Sequence, residues 1–196
     1  VSFFSFGVAS FAVPFQIRSF GVDVDVIGRV FGFTAASSAV VGTLMAAMLV
    51  DRLAKKDLSW KLKLPAISCL IAVPFMVASL LAETYMLCMA LYFVANSLIS
   101  VAIPSLFAAV YGIILSSQRS MAIAVLGLMA NLLGLGVGPV LIGAVSDMLT
   151  PAFGQEALRY TMAGCVFFLG WSAIHMLIGA KTFKDDYVGN EVIQPG

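Results

Sequence analysis

Tyr92, Asn96 and Ser100 recur at i, i+4 and i+8 within one apolar run, which sets a phenol, an amide and a hydroxyl along one face of a helix. Thr34 and Ser38 repeat the spacing in an earlier run, and Asn131 stands alone in a later one. These groups donate and accept hydrogen bonds but bring no nucleophile and base in partnership. The chemistry they suit is reversible recognition of a ligand. In hydrocarbon such groups are costly and turn towards the protein interior. One outcome makes Tyr92, Asn96, Ser100, Thr34 and Asn131 lining residues of a substrate cavity. The other makes them ties between helices, which is the expected fate of Ser38.

Phe4, Phe11 and Phe15 lie on roughly one stripe of the first apolar run, with Gln16 and Arg18 beyond them. A wall lined by these aromatics, Phe11 and Phe15 with Phe4, suits an amphipathic or lipid-like substrate, and Arg18 or Arg29 would attract an anionic headgroup. Phenylalanines facing lipid and arginines snorkelling to the interface explain the same residues.

Titratable groups are missing from mid-membrane depth. An Asp, Lys or Arg there costs about 2.5–3.5 kcal/mol on insertion scales, and this chain places none securely inside an apolar run. His175 is the remaining candidate and is expected to be packed and neutral. Cys69, Cys88 and Cys165 fall in or beside apolar runs without a Cys-x-x-Cys spacing, so they read as packing groups. Neither a metal nor a cofactor is expected. An intramembrane serine protease needs a Gly-x-Ser-Gly nucleophile; Ser146 and Ser172 lack that context, so an enzyme is not expected.

The elements that must position these residues follow from hydropathy. The chain is 61% hydrophobic and 11% charged, with a mean hydropathy of +1.04. One soluble core of 196 residues does not hide that much apolar surface, so lipid covers part of it. A bilayer core about 30 Å thick takes roughly 20 apolar residues per helix. Six segments meet that need, at about 1–17, 27–50, 64–82, 85–115, 121–145 and 158–180, with Ser146 to Pro151 read as a turn. The expected class is an all-α integral membrane bundle over residues 1–182, followed by a short polar tail, 183–196, that frays.

Orientation follows from Lys and Arg in the loops. Arg52, Lys55, Lys56, Lys61, Lys63, Arg119, Lys181 and Lys184 fall on one side, and Arg18, Arg29 and Arg159 on the other. The richer side, with the C-terminus, is expected to be cytoplasmic. Basic residues at helix ends leave no nucleic-acid footprint. The membrane lipids are the expected partners. Compact loops and the lack of Asn-x-Ser/Thr sites favour a bacterial inner membrane. The chain opens at Val1, already apolar and without a basic leader, as a piece of a longer protein would.

Two motifs carry a resemblance. Ala47-Met48-Leu49-Val50-Asp51-Arg52-Leu53-Ala54-Lys55-Lys56 resembles the Gly-x-x-x-Asp-Arg-x-x-Arg/Lys loop signature of the major facilitator superfamily. Asn131-Leu132-Leu133-Gly134-Leu135-Gly136-Val137-Gly138-Pro139, with Gly143 and Ser146-Asp147, looks like the eleventh helix of many members. Arg119-Ser120-Met121-Ala122 and Ala157-Leu158-Arg159-Tyr160 add weaker matches, and together they are most similar to the Spinster-like branch. Ala46-Ala47 and Tyr111 depart from that branch's Gly-Gly pair and Gln, which loosens any inference about substrate.

The resemblance implies helices seven to twelve of a twelve-helix transporter, with an N-terminal six-helix half outside this chain as partner. It implies alternating access, lipid-like or amphipathic substrates, and an inner gate in which Asp51 meets a helix of the first half. Arg52, Lys55 and Lys56 would pair locally or face anionic headgroups. Gly134 and Gly138, with Gly127, form a small-residue stripe for close packing, and Pro139 and Pro14 offer points of bending near the gates. Efflux of a small organic anion or drug by the same fold stays open, as does a self-contained six-helix channel or scaffold that dimerises.

Overall fold

The computed structural model describes residues 1–188. It holds eight α-helices and, among the described residues, no strand. Each boundary has a local cause. α1 (Ser2–Phe20) ends on Gly21, whose φ of 62° lies in the left-handed region and whose N–H reaches the Ile17 carbonyl, the usual glycine stop of a helix. α2 (Val24–Ala54) runs on past the expected boundary at Val50, since nothing between Val50 and Ala54 breaks a helix. Asp51 and Arg52 therefore sit in its last turn and not in a loop.

α3 (Trp60–Leu80) also starts early and takes Lys61 and Lys63 into its first turn. Asp57 prepares that start, accepting the Ser59 N–H at 2.9 Å. The fourth segment is divided into α4 (Tyr85–Ser100) and α5 (Ala102–Ile113). Pro104 lacks the N–H that would reach Ser100 and crowds that carbonyl, so the break falls at Val101. Thr84 caps α4 by accepting the Leu87 N–H.

The fifth segment is α6 (Arg119–Asn131), a π-helical stretch from Leu132 to Val137, and α7 (Gly138–Phe153). Pro139 cannot donate to Leu135, and the widened turn just before it absorbs the mismatch. The turn expected at Ser146–Pro151 is instead helical. Thr150 donates to the Ser146 carbonyl at 2.8 Å, and the chain reverses only at Gly154, with φ of 55°. α8 (Ala157–Thr182) follows.

Four helical stretches are long and apolar enough to cross a membrane: Val24–Ala54, Trp60–Leu80, Tyr85–Ile113 and Ser116–Thr182. The last of these stretches folds back at Gly154. The molecule is an all-α integral membrane bundle.

α3 lies at the centre, against α8, α4 and α5. Its contact face is small, with Ala66, Cys69 and Ala72 buried, and α8 answers with Leu169 and Ala173. Small residues bring the axes close and replace lipid contacts with tighter protein ones. Cys69, Cys88 and Cys165 are free thiols within this packing. His175 departs from the packed position expected of it. It is exposed on α8, its ring 5.1 Å from that of Trp171.

The tail departs from its expectation as well. Lys184 reaches Asp57 at 3.1 Å, the Lys61 ammonium lies 5.0 Å from the Tyr187 ring, and Val188 donates to the Gly112 carbonyl at 3.0 Å. Up to Val188 the tail is docked across α3 and α5. The remainder of the expected fraying tail, 189–196, lies outside the described residues.

Candidate functional site

Asn96 on α4 donates through Nδ2 to the Ser38 hydroxyl of α2 at 2.8 Å and approaches the Ala35 carbonyl at 3.4 Å. Ser38 spends its own proton on the Ala35 carbonyl at 3.0 Å. Its oxygen can then only accept from Asn96, which fixes the amide orientation on chemical grounds. The Asn96 carbonyl oxygen points elsewhere. Gly42, one turn further along α2, lets the helices approach here: a Cβ on it would collide with the Ser97 carbonyl and come within 2.7 Å of Ser100 Cβ.

Asn96 and Tyr92 together line a cavity of about 130 Å³ between α1, α2, α3 and α4. The rest of the wall is mostly apolar, with Phe4, Val8, Phe31, Met76 and Ile99. The Tyr92 ring rests on Phe31 at 5.2 Å between centroids. A second, smaller cavity of about 20 Å³ adjoins it, and Phe15 and Gln16 stand in its wall.

The other polar candidates are spent elsewhere. Ser100 packs against Gly42. Thr34 bonds its own helix at the Val30 carbonyl, 2.7 Å away. Asn131 is exposed and donates to Gly127 at 2.9 Å. Phe11 leans on α7 near Gly143, and Phe15 is buried against Phe20, their centroids 5.7 Å apart. Phe4 belongs to the aromatic stripe read from the sequence; Phe31 and Met76 were missed as wall residues. Apolar side chains in an apolar helix give no period that separates a cavity wall from a lipid face.

Gly134 and Gly138 form a close crossing with α1. A Cβ on Gly138 would stand 3.2 Å from Gly7 Cα, and one on Gly134 would stand 3.0 Å from the Ser2 carbonyl. Gly7 is the unforeseen partner. Gly127 has open space beside it and takes no part in this crossing. Pro14 lies inside α1, and Pro139 just past the π-helical stretch.

At the end of the bundle that carries Asp51, four charges stand free of one another. Asp51, Arg52, Lys55 and Lys56 are exposed, and among the described residues none of them forms an ion pair. The paired acid there is Asp57, which bonds the Ser59 N–H, Lys63 at 3.1 Å and Lys184 at 3.1 Å. The Ser59 backbone N–H, followed by Lys63, holds its carboxyl well below the usual carboxylate range. Its signal in the sequence was the Asp57-Leu58-Ser59 turn ahead of a helix. Arg119 covers the end of α5, donating to the Tyr111 carbonyl at 3.1 Å. At the opposite end, Arg159 lies 5.4 Å from the Phe20 ring and 2.9 Å from Glu156. Arg29 is paired with Asp25 at 2.7 Å.

No family model matches the chain. An MFS-type efflux pump of Mycolicibacterium smegmatis is 28% identical over 158 residues, 81% of this chain and 37% of the pump. A bacterial homolog of the human lysosomal transporter Spinster, inward-facing and unoccupied, superposes with a TM-score of 0.86 at 22% identity. That match covers 96% of this chain and 47% of the homolog. The same homolog in its occupied inward-facing form gives 0.82 at 23% identity, covering 96% and 48%. The chain thus spans about half the length of the proteins it matches. With its helix order, its Asp-Arg motif and these relatives, the chain has the fold of the C-terminal half of a major facilitator superfamily protein.

Proposed function

We propose that this chain is one half of a secondary transporter that moves a lipid-like or amphipathic organic solute by alternating access. The observation that carries the reading is coverage: nearly the whole chain superposes on about half of a transporter. The partner half would close the cavity that Tyr92 and Asn96 line. Rocking of two bundles about a site at their junction is how this architecture exposes a solute to either side.

In this reading the end bearing Asp51, with its excess of Lys and Arg, faces the cytoplasm of a bacterial inner membrane. Asp51 is exposed and unpaired among the described residues, as a residue awaiting a partner from the other half would be. A helix N-terminus of that half would attract its carboxylate and hold the inner gate shut. Arg52, Lys55 and Lys56 anchor the same end to anionic headgroups. Bending is concentrated at the π-helical stretch, between the crossing at Gly134 and Gly138 and the missing donor at Pro139, with Pro14 the weak point of α1. The efflux-pump relative supports outward movement of a drug-like solute as a second reading of the same fold.

The test compares two proteins in proteoliposomes: the 196-residue chain and the product extended by all in-frame codons upstream of Val1. Saturable uptake of a fluorescent amphiphile is expected only from the extended protein. Saturable uptake by the shorter chain alone would overturn the half-transporter reading in favour of a self-contained membrane protein.

A further inference from the structure

The larger cavity is lined by three side chains that can hydrogen-bond, Ser5 of α1 and Tyr92 and Asn96 of α4. Tyr92 and Asn96 stand one helical turn apart, and the surroundings of Asn96 decide which of its groups is left over. The Asn96 amide is committed to Ser38 and Ala35, so the group left over is its carbonyl oxygen, an acceptor. The Tyr92 hydroxyl bonds no other described residue and is free to donate. Among the described lining residues there is no Asp, Glu, Lys, Arg or His. Arg29 is paired with Asp25 and Arg159 with Glu156.

From this arrangement we infer that the cavity takes an uncharged head that both donates and accepts a hydrogen bond, a hydroxyl or primary amide, on an apolar body. Asn96 Oδ1 accepts from the head and the Tyr92 hydroxyl donates to it. Phe4, Phe31 and Met76 cover the first carbons of the body. Against the wall this chain supplies, a carboxylate or phosphate head would shed its water with no cation to receive it, and would face the Asn96 oxygen besides. The size agrees, since a cavity of about 150 Å³ holds a benzene ring, and 130 Å³ suits a hydroxyl with a few carbons. This inference rests on the transporter reading and narrows its substrate class.

The experiment uses the full 196-residue chain in nanodiscs and two photoreactive probes of equal tail length, a diazirine-bearing long-chain alcohol and the matching carboxylate. Labelled peptides are mapped by mass spectrometry. The alcohol is expected to label α1 and α4 around Phe4, Tyr92 and Asn96, with competition by unlabelled alcohol and little by carboxylate. Tyr92→Phe, which removes only the hydroxyl, should weaken that labelling about fivefold, the equivalent of one hydrogen bond. Equal or stronger labelling there by the carboxylate overturns the uncharged head and leaves the transport site standing. Labelling spread over lipid-facing helices by both probes overturns the site itself.

Discussion

Gly7 on α1 and Gly138 on α7 meet so closely that a Cβ on Gly138 would stand 3.2 Å from Gly7 Cα and 3.2 Å from the Phe3 carbonyl. The neighbours are backbone, which cannot turn aside as a flexible side chain would. Gly138→Ala should therefore destabilise the chain by about 1–3 kcal/mol, the usual cost of overpacking. Gly127→Ala has open space and should be neutral or stabilising by up to about 1 kcal/mol through helix propensity. Thermal unfolding of the two variants in one detergent separates the cases. Equal losses would mean that the crossing is not as close as described.

Ser38 and Asn96 form the polar tie between α2 and α4. Ser38→Ala removes the better of the two amide contacts and leaves the Ala35 carbonyl at 3.4 Å. The expected loss is about 0.6–1 kcal/mol, as for other side-chain hydrogen bonds between membrane helices. Asn96→Leu should cost little more in stability yet abolish the acceptor in the cavity. The two variants then unfold alike but differ in labelling by the alcohol probe.

Gln16 is buried to 1% exposure, and its side-chain carbonyl oxygen has no hydrogen-bond partner. A buried acceptor left unpaired costs about 1–3 kcal/mol. Gln16→Leu, of similar length, should raise the midpoint of thermal unfolding. A fall would show that the amide is paired in solution.

Asp57 holds the tail through Lys184 and the start of α3 through Ser59 and Lys63. Its folded-state pKa is depressed, so its contribution is present above the unfolded value, about 3.9, and is lost as pH falls through the lower folded value. Tail docking should be flat from pH 8 to about pH 4 and weaken only below. Emission of Trp60, three residues from Asp57, follows it. Asp57→Asn should release the tail at pH 8, seen as faster tryptic cleavage after Lys184.

Gly112 faces the Tyr187 ring so closely that any Cβ there would run into it. Gly112→Ala should displace Tyr187 and free the segment from Lys184 to Val188, with little effect on the α3–α8 core. Tyr187→Ala should release the same segment by removing the ring. Both changes should appear as increased amide exchange in that segment, and unchanged exchange in either would place the anchor elsewhere.

Much of this protein was legible without coordinates, for stated physical reasons. Apolar runs long enough for a bilayer can only be helices, so the all-α membrane bundle followed from hydropathy. Asp51-Arg52 and the Gly134 to Pro139 run carried the resemblance because motif spacing is read from the chain without knowledge of packing. Helix ends were less legible. Lipid-length hydropathy shows neither that α2 carries Asp51 in its last turn nor that Pro104 divides a single apolar run.

What the tertiary structure alone decided is which polar group meets which. Tyr92, Asn96 and Ser100 share one helical face in the sequence, yet Ser100 is taken by Gly42 of α2, and Asn96 keeps an oxygen free because Ser38 holds its amide. Lys184 and Tyr187 belonged to a tail expected to fray, and they meet Asp57 and Lys61 respectively across more than 120 residues of chain. Periodicity records the direction a side chain takes from its own helix. It carries no information about the helix opposite, and in a bilayer, where lipid is as apolar as the core, hydrophobicity does not supply it.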